Sequence, residues 1–219
     1  MAEPRQAAFT AQRCADFLQG TTGAPTRAQL LNALHYGVAP TVPHRALDLG
    51  CGPGREVLEL VRAGFEVVAI DPYPQMIELT RELLLAQAPH ALGNVALVQA
   101  TLEEFAPELR IGSFGLVHAG FVLPFVHPQH FQFAFERLLD SIAGGGLFTG
   151  QFFGPDDEFL RESGGELMTS HTASDVDTLL CDFDILSREE VNREGHLGRG
   201  KKKWWHVHHV IARRRGSHC

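Results

Sequence analysis

Cysteine is sparse in this chain, and Cys14, Cys51, Cys181 and Cys219 show no CxxC spacing. That argues against a disulfide framework and against a structural zinc site. A reducing cytoplasm is the expected setting. Positive charge is also short: 19 lysines and arginines face 26 aspartates and glutamates, for a formal charge of −7. No basic stripe that could track a phosphate backbone is present, so nucleic acid is not an expected partner. Long apolar runs are missing as well. No stretch of about 18 apolar residues and no secretory leader is seen, so neither membrane spanning nor secretion is expected. Repeats and low-complexity segments are absent. What is present, 219 residues of which 44% are hydrophobic, suffices for one domain with a full core.

From Arg45 onward, short apolar runs alternate with longer amphipathic segments, the pattern of an α/β fold with a parallel sheet flanked by helices. "RALDLG", "FEVVAID", "NVALVQA", "FGLVHAG", "GLFTGQFF" and "DILSREEVN" read as six strands, and "KKKWWHVHHVIARR" as a seventh. Helices are expected at "REVLELVRAG", "PQMIELTRELLLAQA", "HPQHFQFAFERLLDSIAGGG" and "SDVDTLLCDF", with an acidic turn at Glu103 and Glu104. Residues 1–44 differ, with helical "FTAQRCADFLQG" and "TRAQLLNALHYG" forming an N-terminal cap. Residues 45–219 form the main unit. The short "VAPTVP" link argues against a separate domain.

The sharpest chemical signal is "ALDLGCGPGREVLEL". A strand ends at Asp48 and Gly50, Gly52 and Gly54 lead into a helix. Glycines let the backbone turn tightly and approach a ligand, and the helix start offers unpaired N–H groups. A second strand ends in "AIDP", so Asp71 lies about 20 residues on, where a carboxylate can bind both hydroxyls of a ribose. Dinucleotides and S-adenosylmethionine share this layout. Asp48 discriminates between them, because a carboxylate beside the turn suits a cationic amino-acid end and repels a pyrophosphate. His118, Ala119 and Gly120 end the fourth strand, across the topological switch from the first.

"DLGCGPG" followed by "AIDP" resembles the signature of class I S-adenosylmethionine-dependent methyltransferases. The resemblance implies a Rossmann-like, seven-stranded, mostly parallel sheet with an antiparallel last strand and helices on both faces. It implies S-adenosyl-L-methionine as cofactor, with Asp48 near the methionine amino group and Asp71 on the ribose. Cys51 and Pro72 belong to the same two motifs. The adenine would rest on the Thr101 hydroxyl and the Leu102 amide. "GQFFGPDDEF", "HTASDVDTLL" and "WWHVHHVIARR" are further similar to bacterial small-molecule methyltransferases of the tellurite-resistance type. In that group the last strand opens with Lys-His-Trp-His. Here Trp204 replaces the first histidine, while His206 and His209 match.

An antiparallel last strand begins at the crevice end of the sheet. Lys203 to His206 are therefore expected near the mouth, with His209 about 20 Å further along. Alternation puts Trp204, His206 and His208 on one face and Trp205, Val207 and His209 on the other, the first being preferred for the site. Arg193, His196, Arg199 and Lys201 to Lys203 bring positive charge to the same rim. Phe121, Phe153 and Trp204 are the expected substrate residues, and a π face near the sulfonium adds attraction. His206 and His171 are the candidate general bases. No metal is expected. His206 and His208 share a face, yet a site would need a third ligand, preferably a carboxylate. The reading is methyl transfer to a small-molecule acceptor, with a sulfur or other chalcogen nucleophile favoured by resemblance. The alternatives are N- or O-methylation of a small metabolite, or cofactor binding without catalysis.

Overall fold

A computed structural model describes Leu18 and residues 24–162, 166–196 and 202–216. The expected helix "FTAQRCADFLQG" and the loop residues Arg199 and Lys201 lie outside these residues, apart from Leu18. The strands are β1 (Arg45–Leu49), β2 (Glu66–Asp71), β3 (Val95–Gln99), β4 (Phe114–Ala119), β5 (Ile142–Phe153), β6 (Phe183–His196) and β7 (Lys202–Arg214). They form one sheet in the order β3-β2-β1-β4-β5-β7-β6. β1 to β5 pair in parallel, whereas β7 runs antiparallel to both β5 and β6. The sheet is therefore Rossmann-like, mostly parallel and closed by an antiparallel last strand, as the resemblance implied.

The described α-helices are α1 (Ala28–Tyr36), α2 (Arg55–Arg62), α3 (Pro74–Gln87), α4 (Leu102–Phe105), α5 (Pro128–Asp140), α6 (Glu158–Glu162) and α7 (Ala173–Leu179). Local chemistry sets their ends. Proline opens α3 and α5 at positions whose N–H has no intrahelical partner. Thr101 and Thr172 each close a capping box, with Glu104 and Asp175 respectively. The expected acidic turn is thus helix α4, and the last described helix is capped by Thr172 rather than opened by Ser174.

One expected helix boundary moves. α5 stops at Asp140, and the "IAGGG" that follows is the start of β5. Glycine suits that strand because backbones crowd there: a Cβ on Gly146 would meet the Gly115 carbonyl at 2.9 Å.

Two apolar layers cover the sheet. On one side Phe135 packs edge-on to Phe148 and Phe152, at centroid distances of 5.8 and 5.7 Å, and Leu47, Val117 and Val176 join them. On the other, Val57, Leu60, Val67, Leu84 and Leu147 are buried together with Leu30 of α1, which docks the described part of the N-terminal segment onto the sheet. Each such side chain contributes about 1.5–3 kcal/mol on burial. β6 is the edge strand, and Arg188, Glu189, Glu190, Arg193 and Glu194 make it an unattractive template for further pairing. β1 lies between β2 and β4, so the chain order reverses there, and a crevice opens at the carboxyl ends of these strands.

Candidate active site

The turn after β1 needs its glycines. Gly50, Gly52 and Gly54 have φ of 62, 53 and 86°, a region that costs an L side chain about 1–2 kcal/mol. Space is short as well: a Cβ on Gly50 would lie 2.2 Å from Val122 Cγ2, and one on Gly54 would lie 2.9 Å from Thr80 Cα. Thr80 of α3 donates its hydroxyl to the Gly52 carbonyl at 2.8 Å. Asp71 holds the other side of the turn. Its Oδ2 accepts the Gly52 N–H at 3.1 Å and its Oδ1 accepts the Tyr73 N–H at 2.9 Å. Burial still raises its pKa above the ordinary carboxylate value, against those two bonds. Cys51 is buried in the turn, and burial pushes its thiol up, so it serves as packing rather than as a nucleophile.

Beneath the turn, Asp48 Oδ1 lies 2.6 Å from His118 Nδ1, and both residues are almost fully buried. Burial raises the pKa of Asp48, opposed by His118. Asp48 Oδ2 and His118 Nε2 have no hydrogen-bond partner. Arg27 approaches the same region. Arg55 pins the preceding segment through the Ala24 and Pro25 carbonyls, both at 3.1 Å, and the Arg27 N–H donates to Glu56 Oε1 at 3.3 Å. Its guanidinium sits 4.9 Å from the ring centroid of Phe121.

A cavity of about 620 Å³ opens at the carboxyl ends of β1 to β4. Of the expected cofactor residues, Gly50, Pro72, Thr101 and Leu102 line it, together with Tyr73 and Phe125. Asp48, Cys51, Gly52, Gly54, Asp71, His118, Ala119 and Gly120 do not line it and lie in the turn and at the strand ends. The Thr101 hydroxyl already accepts the Glu104 N–H at 3.2 Å as a helix cap, and Leu102 begins α4, where N–H groups lack intrahelical partners.

Phe125 connects this cavity to an aromatic group, lying 6.1 Å from Phe153. Phe121 joins it, 6.3 Å from Phe153 and 5.8 Å from Trp205. Phe121 is the one described non-glycine residue with positive φ, at 59°, and its N–H is held by Gln151 Oε1 at 2.9 Å. Such strain is retained where surrounding contacts over-determine it. Lys203 lies buried in the same group, its Nζ 3.8 Å from the Phe159 centroid and 4.2 Å from that of Trp205, and it is ion-paired with Asp157. Burial lowers its pKa, opposed by Asp157.

The strand register separates residues that the sequence reading had grouped. Phe153 pairs with Val207 and Gln151 with His209, whereas Phe152 pairs with His208. Trp205, Val207 and His209 therefore share the face of Phe121 and Phe153, with the His209 ring 5.9 Å from Phe121. Trp204, His206 and His208 occupy the opposite face. Trp204 is 42% exposed and donates its indole N–H to Asn192 Oδ1 at 2.7 Å. Of the expected substrate trio, Phe121 and Phe153 come together and Trp204 does not, because side chains alternate along a strand. The preferred face of β7 is thus the one turned away from the aromatic group. His206 stands over Gly154, with its Nε2 3.0 Å from Glu190 Oε1. His171 packs its ring on Phe131 at 4.5 Å and on Phe152 at 5.5 Å, and burial lowers its pKa.

Residues 46–146 match the methyltransferase domain family. Among curated relatives, an uncharacterized methyltransferase of Mycobacterium bovis is 44% identical over 45 residues, 20% of this chain and 18% of that protein. A magnesium-protoporphyrin O-methyltransferase of Rhodobacter capsulatus is 45% identical over 52 residues, 24% of this chain and 22% of that protein. The matched stretches thus span about a fifth of these relatives. TehB from Haemophilus influenzae shares the fold at a TM-score of 0.69 and 16% identity, covering 91% of this chain and 66% of that one. Residues 46–146 are thus similar to a methyltransferase domain, and the chain as a whole shares the Rossmann-like fold of TehB.

The residues present fit S-adenosylmethionine, the cofactor that the resemblance implies. The glycine cradle leaves no room for side chains, Asp71 keeps spare acceptor positions beyond its two amide bonds, and Asp48 holds an unpartnered buried oxygen. The sequence reading missed Arg27, Gln151 and Asp157. Gln151 and Asp157 lie within "GQFFGPDDEF" without a role assigned to either, Arg27 belongs to none of the motifs of the resemblance, and only the fold brings the three here.

Proposed function

We propose that the protein transfers the methyl group of S-adenosylmethionine to a small acceptor bound against Phe121, Phe125, Phe153 and Trp205. The observation that carries this reading is the continuity from the glycine turn, whose Gly50 lines the 620 Å³ cavity, to the aromatic group, which shares Phe125 with that cavity. Asp71 takes the ribose, Pro72, Thr101 and Leu102 the adenine side, and Asp48 the amino end. His118, Ala119 and Gly120 form the floor. Arg27, next to Gly120 and over Phe121, is placed to meet an anionic group of the cofactor or acceptor. The bound cofactor supplies the electrophilic methyl group. The chain supplies alignment and a water-poor wall, which carry most of the acceleration when the acceptor arrives as an anion. His206 and His171, the bases expected from sequence, face the other layer and are given no proton-transfer role.

The favoured acceptor is a sulfur or other chalcogen nucleophile, in line with the tellurite-resistance resemblance. An oxygen acceptor is the second reading, supported by the match to an O-methyltransferase. Incubation with methyl-labelled cofactor and a panel of thiols, chalcogen oxyanions, amines and phenols separates them. Labelled thioether or methylated chalcogen is expected. Turnover of a phenol with failure of every sulfur, selenium and tellurium acceptor sinks the favoured class, and cofactor binding without any turnover sinks the enzyme reading.

A further inference from the structure

We propose that Glu190, His206 and His208 form a binding site for a zinc-type divalent ion on the face of β7 opposite the cofactor crevice. His206 and His208 are two residues apart on one strand, and Glu190 is the residue of β6 directly paired with His208. One ligand atom from each lies within 4.8 Å of the other two. The carboxylate lacking when the two histidines are read along β7 alone is thus supplied by the neighbouring strand.

The independent observation is His208. It is 1% exposed, and neither of its ring nitrogens makes a hydrogen bond of good geometry, although the His171 backbone lies beside it. Burying such a ring unpartnered is costly, and a simple Glu190 to His206 contact leaves that cost in place. His208 Nδ1 is 3.9 Å from Glu190 Oε2, and His206 Nε2 is 3.0 Å from Glu190 Oε1. A tetrahedral zinc ion holds its ligand atoms roughly 3.3 Å apart. The half-exposed Glu190 side chain has the freedom to adjust its own two distances, and the His206 to His208 separation, within 4.8 Å, would close by ring rotation.

Ligation changes the hydrogen bonds of His206. Its Nδ1 now accepts the Asp156 N–H at 3.1 Å and lies 3.4 Å from Asp156 Oδ2. With a metal on Nε2, the proton would move to Nδ1, the Asp156 N–H would be released, and Nδ1 would donate instead to the Asp156 carboxylate, the usual outer partner of a ligating histidine. Asn192 Nδ2 already holds Asp156 Oδ2 at 2.9 Å. Gly154 allows the ring its position, since a Cβ there would lie 2.3 Å from His206 Nε2. Two imidazoles and one carboxylate suit zinc and its neighbours in the first transition row, whereas magnesium and calcium require more oxygen ligands. Such an ion would tie β6 to β7 and to the loop after β5, whatever acceptor the crevice takes.

The test uses tag-free, full-length protein stripped with chelator, then titrated with zinc by calorimetry and with cobalt by visible absorption. Zinc binding and a tetrahedral cobalt spectrum are expected, and Glu190→Gln and His208→Phe should each weaken binding by more than about 100-fold. Glu190 is half exposed, so its variant reports even if the buried His208 variant fails to fold. His44→Ala, a histidine outside the cluster, is expected to bind as the parent does. Absence of zinc binding, or binding that survives Glu190→Gln, overturns the proposal.

Discussion

Replacing Asp71 with alanine probes two roles of one carboxylate. In the free protein its oxygens hold the Gly52 and Tyr73 N–H groups at 3.1 and 2.9 Å, within a buried residue. A buried N–H left without an acceptor costs about 1–3 kcal/mol. Two of them, partly rescued by water from the adjoining crevice, give a loss of about 2–3 kcal/mol. For a chain of this length that lowers the melting temperature by about 4–12 °C. In the complex, the proposed ribose contact adds two hydrogen bonds to a charged acceptor, each contributing about 1.5–3 kcal/mol. S-adenosylhomocysteine should therefore bind at least ~100-fold more weakly to Asp71→Ala. Acidity supplies a further signature. Burial raises the Asp71 pKa above 3.8, so affinity is full above that raised value and declines as pH falls through it, whereas Asp71→Asn shows no such decline. Stability at this site moves the opposite way: between 3.8 and the raised value the folded carboxyl binds more protons than the unfolded one, and acidification favours the folded form. Thermal denaturation and calorimetric titration at matched pH measure all three. Unchanged affinity in a folded Asp71→Ala protein refutes the ribose role, and an unchanged melting temperature refutes the carboxylate's hold on the turn.

Two further substitutions follow from the packing. Lys203→Met strands the fully buried Asp157 carboxylate, left with the His206 and Phe159 amides at 3.1 and 3.0 Å. A loss of about 3–5 kcal/mol in urea denaturation is expected, with partial recovery on adding Asp157→Asn. A loss below about 1 kcal/mol would place the pair among exposed ion pairs. Gly54→Ala combines a φ of 86° with a Cβ 2.9 Å from Thr80 Cα. It should cost about 2–5 kcal/mol and weaken S-adenosylhomocysteine binding together with stability. Wild-type behaviour in both assays would show that the turn is not under the constraint described.

The glycine turn, Asp71 and the strand-helix alternation were legible because each is local. A positive φ selects glycine wherever the turn occurs, and an apolar run buried on both faces reads as an inner strand in any parallel sheet. "IAGGG" misled for a related reason. Glycines after an amphipathic stretch resemble a helix cap, and the Gly115 backbone that makes them part of β5 is distant in sequence. Arg27 was invisible because its place depends on Arg55 and Glu56 holding the segment before α1.

The last strand shows the division most clearly. Sequence alone determined that Trp204, His206 and His208 point one way and Trp205, Val207 and His209 the other, since alternation is a property of an extended backbone. It also carried the motifs whose resemblance implies the class of cofactor, in residues within about 25 positions of one another. Only the tertiary structure decided which face of β7 meets Phe121 and Phe153, and that Glu190 stands opposite His208. Those facts depend on the register between β5, β6 and β7, in which a shift of one residue exchanges every side chain between the two faces.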